Sequence, residues 1–287
     1  MSVQPEAFFL PATAVESGQR FCLFYPAEGD GVRGLVLYIH PFAEEMNKAR
    51  RMAALQARAL ASAGFNVLQI DLLGCGDSSG DFGDATWQSW VSDVVQGCHW
   101  LRNQSGTHGA GSAPAPLWLW GLRAGCLLAV EASKQLNEAC NFLLWQPPSS
   151  GKPLLQQFLR LKVAGDMLGG QAKGVMEDMR QQLASGSTVE IAGYMLSPGL
   201  ASGLEQAALV APVCQSPAQR LEWLELSTRE DAGFTPVSAK TIAQWQQAGF
   251  AVDSHIAYGP AFWQTTEIED GPALIAATTA ALANSSA

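Results

Sequence analysis

The sequence predicts an α/β protein with a mostly parallel sheet flanked by helices. Short apolar runs alternate with longer amphipathic segments through most of the 287 residues. That is the rhythm of strand–helix–strand units with right-handed crossovers. Hydrophobic residues make up 48% of the chain and charged residues 15%, which suits a sheet buried on both faces and rules out disorder as the main state. Three of the apolar runs also end in turn-forming or glycine-bearing segments, at the strand C-termini where open α/β sheets place ligands.

Taken in order, Phe8 to Tyr25 leaves room for an antiparallel pair. Gly34 to His40 (GLVLYIH) reads as a buried strand, and Lys48 to Ala63 as a helix stopped by Gly64. Phe65 to Asp71 (FNVLQID) is a second buried strand. Thr86 to Asn103 is a helix carrying Trp87, Trp90, Val94, Val95 and Leu101 at roughly helical spacing. Gln104 to Pro116, rich in Gly, Ser, Ala and Pro, is a surface loop. Leu117 to Trp120 is a strand, Ala124 to Asn137 a helix and Asn141 to Trp145 a strand. Glu222 to Ser227, Thr235 to Ala248, Val252 to Tyr258 and about Gly271 to Ala283 continue as strand, helix, strand and helix. Leu154 to Ala211 breaks the rhythm. It is mostly helical, with one short extended piece near Val189 to Tyr194, and reads as an insertion of the kind that forms a lid over a site. The length fits one domain over residues 1–287, with that insertion inside it.

The net charge of −9 argues against a nucleic-acid partner or an anionic membrane surface. No apolar stretch reaches the length of a membrane span, and no secretory leader pattern opens the chain, so a cytoplasmic location is expected. The six cysteines show neither CxxC nor zinc spacing, so they are expected to be reduced, with no metal and no cofactor.

Three spots carry the functional signal: His40-Pro41-Phe42, Asp71-Leu72-Leu73-Gly74-Cys75-Gly76-Asp77-Ser78, and Gly121-Leu122-Arg123-Ala124-Gly125. Together, in this order, they resemble the α/β-hydrolase superfamily. The first resembles its HG-type oxyanion loop with Pro41 in place of Gly, and the second its D-x-x-G-x-G-x-S loop. The third resembles the frame of the G-x-S-x-G nucleophile elbow. More narrowly, HPFAEEMNK, DLLGCGDSSGDFGDATW, WGLRAG and GPAFWQT resemble the hydrolase 2 proteins of exosortase A systems. That resemblance implies association with exopolysaccharide or protein-sorting loci, whose proteins become expected partners.

The resemblance implies a serine at position 123, but the residue is Arg123. A guanidinium stays protonated at neutral pH and cannot form an acyl-enzyme. Glu230 or Asp231 would be the acid after the fifth strand. The loop after the sixth strand, Tyr258 to Trp263, holds no histidine, while His255 lies within the strand. His40 is a candidate base. The backbone N–H groups of Phe42 and Ala124, with the helix N-terminus and Arg123, suit a small anionic or acyl ligand. Alternatively, Glu44 or Glu45 neutralises Arg123 internally. Trp145, Phe262 and Trp263 either line a pocket or pack in the core. The expected function is ligand binding with weak or no standard hydrolysis. A true ester, thioester or acyl-sugar hydrolase using displaced residues, and an interaction protein, stand as the alternatives.

Overall fold

The computed structural model describes residues 4–12, 18–29, 31–104, 114–168 and 174–284. Most of the loop expected over 104–116 lies outside them. Eight strands form one sheet: β1 (Glu6–Pro11), β2 (Gln19–Tyr25), β3 (Gly34–Ile39), β4 (Phe65–Ile70), β5 (Leu117–Leu122), β6 (Cys140–Trp145), β9 (Arg220–Ser227) and β10 (Ala251–Tyr258). Two further short strands form a separate hairpin. The order across the sheet is β1-β2-β4-β3-β5-β6-β9-β10. β1 pairs antiparallel with β2, and β2 with β4. Every other pairing is parallel.

β3 and β5 are buried along their whole length because helices cover both faces. Alternate residues supply the two cores. Leu35, Leu37 and Ile39 face one, whereas Val36 and Tyr38 face the other. Helices α1 (Glu44–Ser62) and α8 (Pro272–Asn284) close the second face. α2 (Trp87–Gln104), α3 (Ala124–Ser133) and α7 (Pro236–Gln247) close the first.

α1 begins at Glu44, four residues before the expected start at Lys48. Glu44 and Glu45 occupy its first turn, where carboxylates match the positive end of the helix dipole. This shift decides which of the two glutamates faces the neighbouring strand end.

Between β6 and β9 the chain forms α4 (Lys152–Leu168), α5 (Val175–Ala184), the hairpin β7 (Val189–Ile191) and β8 (Tyr194–Leu196), and α6 (Pro198–Gln206). The single extended piece expected here is in fact two antiparallel strands. Ala192 and Gly193, with φ of 49° and 85°, supply the two positive-φ residues of a tight hairpin turn. Ser197 caps α6: its Oγ accepts from the Leu200 N–H at 3.1 Å and donates to the Ala85 carbonyl. The Tyr194 ring packs edge-on against Phe82 at 5.0 Å, tying the hairpin to the body. Among the described residues no helix is long and apolar enough to cross a membrane.

Candidate functional site

The sharp turn expected at Arg123 is present. β5 ends at Leu122, Arg123 takes φ 54° and ψ −116°, and α3 starts at Ala124. A Cβ on Gly121 would lie 2.5 Å from the Cys126 nitrogen, and one on Gly125 would lie 2.1 Å from the Ile39 carbonyl oxygen. The two glycines are therefore steric requirements of the crossing, whatever residue stands between them. The Arg123 N–H donates to the Trp145 carbonyl at 3.0 Å, pinning the turn to the next strand.

The Arg123 side chain runs into the protein. Its Nη2 donates to Glu45 Oε1 at 3.0 Å and to Gln157 Oε1 at 3.0 Å, and its Nε lies 3.3 Å from Glu45 Oε1. The guanidinium carbon stands 5.8 Å from the Trp263 ring centre, a cation–π arrangement. Trp263 belongs to the loop after β10 where the resemblance implies a histidine. The loop after β10 thus meets the turn after β5 through this arginine and tryptophan.

Of the two candidate counter-ions, Glu45 makes the ion pair. Burial pushes the Glu45 carboxyl upward, against the downward pull of Arg123. Glu44 is also raised by burial, and its Oε2 is buried without a hydrogen-bond partner. Phe42, Glu44, Glu45, Arg123, Leu154, Gln157 and Phe158 enclose a cavity of about 10 Å³, room for about one water. An organic ligand enters only if a wall moves.

His40 is buried between its own loop and the next. Its Nδ1 lies 2.8 Å from the Pro41 carbonyl and its Nε2 3.4 Å from the Leu72 nitrogen. A ring donating from Nδ1 and accepting at Nε2 satisfies both contacts, and burial lowers its pKa. Both nitrogens are then engaged away from Arg123. Among the described residues, the Phe42 and Ala124 N–H groups reach no hydrogen-bond acceptor. They remain free donors beside the elbow.

The Asp71 loop is built as a structural turn. Asp71 Oδ2 accepts from the Asp77 N–H at 3.1 Å and from Arg50 Nη2 at 3.0 Å. A Cβ on Gly76 would stand 1.9 Å from that same carboxylate. Beneath the loop, buried Arg20 pairs with Asp93 at 2.6 Å, and Asp93 Oδ2 accepts from the Leu73 N–H at 2.8 Å.

The remaining candidates are dispersed. Glu230 and Asp231 are exposed, and Asp231 pairs with its neighbour Arg229. Trp145 and Phe262 pack in the core: Trp145 lies edge-on to Trp120 and Phe262 and donates from Nε1 to Thr278 Oγ1 at 3.0 Å. The pocket wall expected from Trp145 is supplied instead by α4, because the indole is held down by α8. His255 is exposed on β10. Cys126 is buried, its thiol pushed well above the ordinary value by desolvation, so it is no nucleophile. All six cysteines are free thiols. Among the described residues no group of three His, Cys, Asp or Glu side chains could hold a metal ion.

The site residues that the sequence did not single out are Leu154, Gln157 and Phe158, all on one face of α4. Their i, i+3, i+4 spacing is the one signal that could have grouped them.

The fold defines the class: the chain has the α/β-hydrolase fold. Three solved structures illustrate the likeness. Est1E from Butyrivibrio proteoclasticus, solved with ferulic acid, matches with a TM-score of 0.65 and 12% identity over 97% of each chain. A soluble variant of monoglyceride lipase from Saccharomyces cerevisiae, solved with a substrate analog, matches at 0.62 and 14%, over 99% of this chain and 96% of that one. Carboxyl esterase 2 of Tuber melanosporum matches at 0.58 and 12%, over 100% of this chain and 86% of that one. In sequence, the chain is 30% identical to Protein ABHD12B of Homo sapiens over 121 residues, which is 42% of this chain and 30% of that protein. The chain therefore spans under a third of the length of the curated relative it matches. No protein-family profile matches the chain.

Proposed function

We propose that this chain is a ligand-binding protein of the α/β-hydrolase fold, with little or no hydrolysis by the serine route, and that its ligand is a small acyl compound held at Arg123. One observation carries the reading: Arg123 occupies the elbow, its Nη2 shared between Glu45 and Gln157. Gln157 sits on α4, so the segment between β6 and β9 acts as the lid. Withdrawing α4 exposes one strong donor and enlarges the cavity. Glu45 already neutralises the guanidinium, so a neutral acyl carbonyl or a single carboxylate fits this donor better than a doubly charged phosphate. The free N–H groups of Phe42 and Ala124 supply further donors for the same oxygen.

The test is a panel of p-nitrophenyl esters and acyl thioesters together with calorimetric titration of the matching free acids and amides. Binding without turnover is the expected result. Turnover that disappears in Arg123→Ala would overturn the reading. A second reading, hydrolysis through displaced residues, is supported by the carboxyl esterase and lipase neighbours and by the unpartnered Glu44 Oε2. Ester turnover that survives Arg123→Ala but is lost in Glu44→Gln would establish it.

The motif resemblance to exosortase-associated proteins supports a cytoplasmic role beside an exopolysaccharide or protein-sorting system. Co-purification with products of such a locus tests that part.

A further inference from the structure

A second constellation lies far from Arg123, towards the N-terminal ends of β9 and β10. Glu222 and Asp253 are register partners on these adjacent parallel strands, so both side chains leave the same face of the sheet. Two carboxylates side by side repel each other unless a cation stands between them. Arg220 provides one: its Nη2 donates to Glu222 Oε1 at 3.0 Å and to Asp253 Oδ2 at 2.6 Å. One guanidinium against two carboxylates leaves one negative charge over.

The surplus has a definite place. Glu222 is fully buried, yet its Oε2 has no hydrogen-bond partner. Burial pushes its carboxyl upward in spite of Arg220, so the ionised form is held at a cost that a second cation would relieve. A buried acceptor without a donor is costly, and such groups call for a partner. Beside it opens a cavity of about 350 Å³, lined by Arg220, Glu222, Asp253 and His255 and walled on the α8 side by the small Ala277, Ala280 and Ala281. This is the lower end of the size range of small-molecule sites. The Arg220 side chain, 27% exposed, lies over Glu222, whose own side chain is 0% exposed.

We propose that this cavity binds a small aliphatic primary amine in its ammonium form, with the head group beside the Arg220 guanidinium, on the unpartnered Glu222 oxygen and the Asp253 carboxylate, and the alkyl chain along the alanines of α8. An ammonium brings one positive charge and three donors. Those match the surplus charge, the open Glu222 oxygen and the outer Asp253 carboxylate, while the methyl groups give the chain an apolar wall. The site is independent of the reading of Arg123.

The test is isothermal titration of the full chain with n-butylammonium chloride and with 1,4-diaminobutane at fixed ionic strength. n-Butanol and tetramethylammonium chloride serve as controls, the first lacking charge and the second lacking N–H donors. Saturable binding of the two amines, without binding of either control, is expected. Glu222→Gln should weaken it by about tenfold or more, as expected for losing a charged hydrogen bond. Asp253→Asn, at a half-exposed position that does not threaten folding, should weaken it by a smaller factor. Absence of amine binding, equal binding of tetramethylammonium or butanol, or amine binding unchanged in both variants would each overturn the proposal.

Discussion

At the scale of single residues, the pair Arg123–Glu45 explains why the elbow has no pocket of useful size. Both side chains are largely buried, 14% and 8% exposed. Removing one partner from such a pair strands a buried charge, whereas replacing both by apolar side chains is close to neutral. Arg123→Met should therefore lower unfolding stability by about 3–5 kcal/mol, and Arg123→Met with Glu45→Met should restore most of it. Urea unfolding of both variants measures the difference. A pair without structural weight would show equal, small effects. Position 123 was legible in the sequence because Gly121 and Gly125 frame it locally. The choice between Glu44 and Glu45 was not, because successive helical residues point about 100° apart and only the start of α1 at Ala43–Glu44 fixes which one faces Arg123.

At the scale of elements, α3 crosses β3 and β5 too closely to admit a side chain. Gly125→Ala, which puts a methyl 2.1 Å from the Ile39 carbonyl oxygen, should destabilise by about 1–3 kcal/mol or more. Gly165→Ala, in α4 with nothing within 4 Å, should stabilise by about 0.5–1 kcal/mol through helix propensity. Thermal unfolding of the two variants side by side checks the contrast. The buried pair Arg20–Asp93 joins β2 to α2 and holds Leu73 of the loop after β4. Asp93→Ala should cost about 3–5 kcal/mol in a denaturant titration. The alternation of strands and helices was readable from hydrophobic period alone. The placement of α4 over the elbow was not: Gln157 meets Arg123 across 34 residues of chain, and no local pattern encodes how an insertion folds back.

At the scale of the whole molecule, buried carboxyls contribute a fall in stability with rising pH, opposite in sign to the buried His40, whose pKa burial lowers. Glu44, Glu45 and Glu222 all have pKa values raised above the ordinary 4.5, with burial the largest cause in each. A raised carboxyl binds its proton more tightly folded than unfolded. Its stabilising contribution is full below about pH 4.5 and is lost as pH rises through the folded value. Between these limits the unfolding free energy contributed by the three groups should fall with rising pH, and Glu45→Gln should flatten that slope. Denaturant titrations from pH 4.5 to 7.5 read it directly. A slope unchanged in the variant would remove Glu45 from the account. The architecture itself, a parallel sheet with an antiparallel pair at one edge, followed from the order of apolar runs, because buried parallel strands leave so clear a trace in composition.

Past the strands of the eight-stranded sheet, three residues other than glycine take a positive φ: Ala43 after β3, Arg123 after β5 and Gln146 after β6, at 50°, 54° and 46°. Each such corner costs of order 1–3 kcal/mol, and all three follow adjacent strands of the sheet. The rim holding Arg123 therefore starts uphill of the rest of the molecule. Local opening there needs less energy than opening at the opposite end of the same strands, so amide protons around these corners should exchange with solvent sooner than those at the strand centres. The molecule thus carries a bias towards parting at the rim where the proposed ligand would enter.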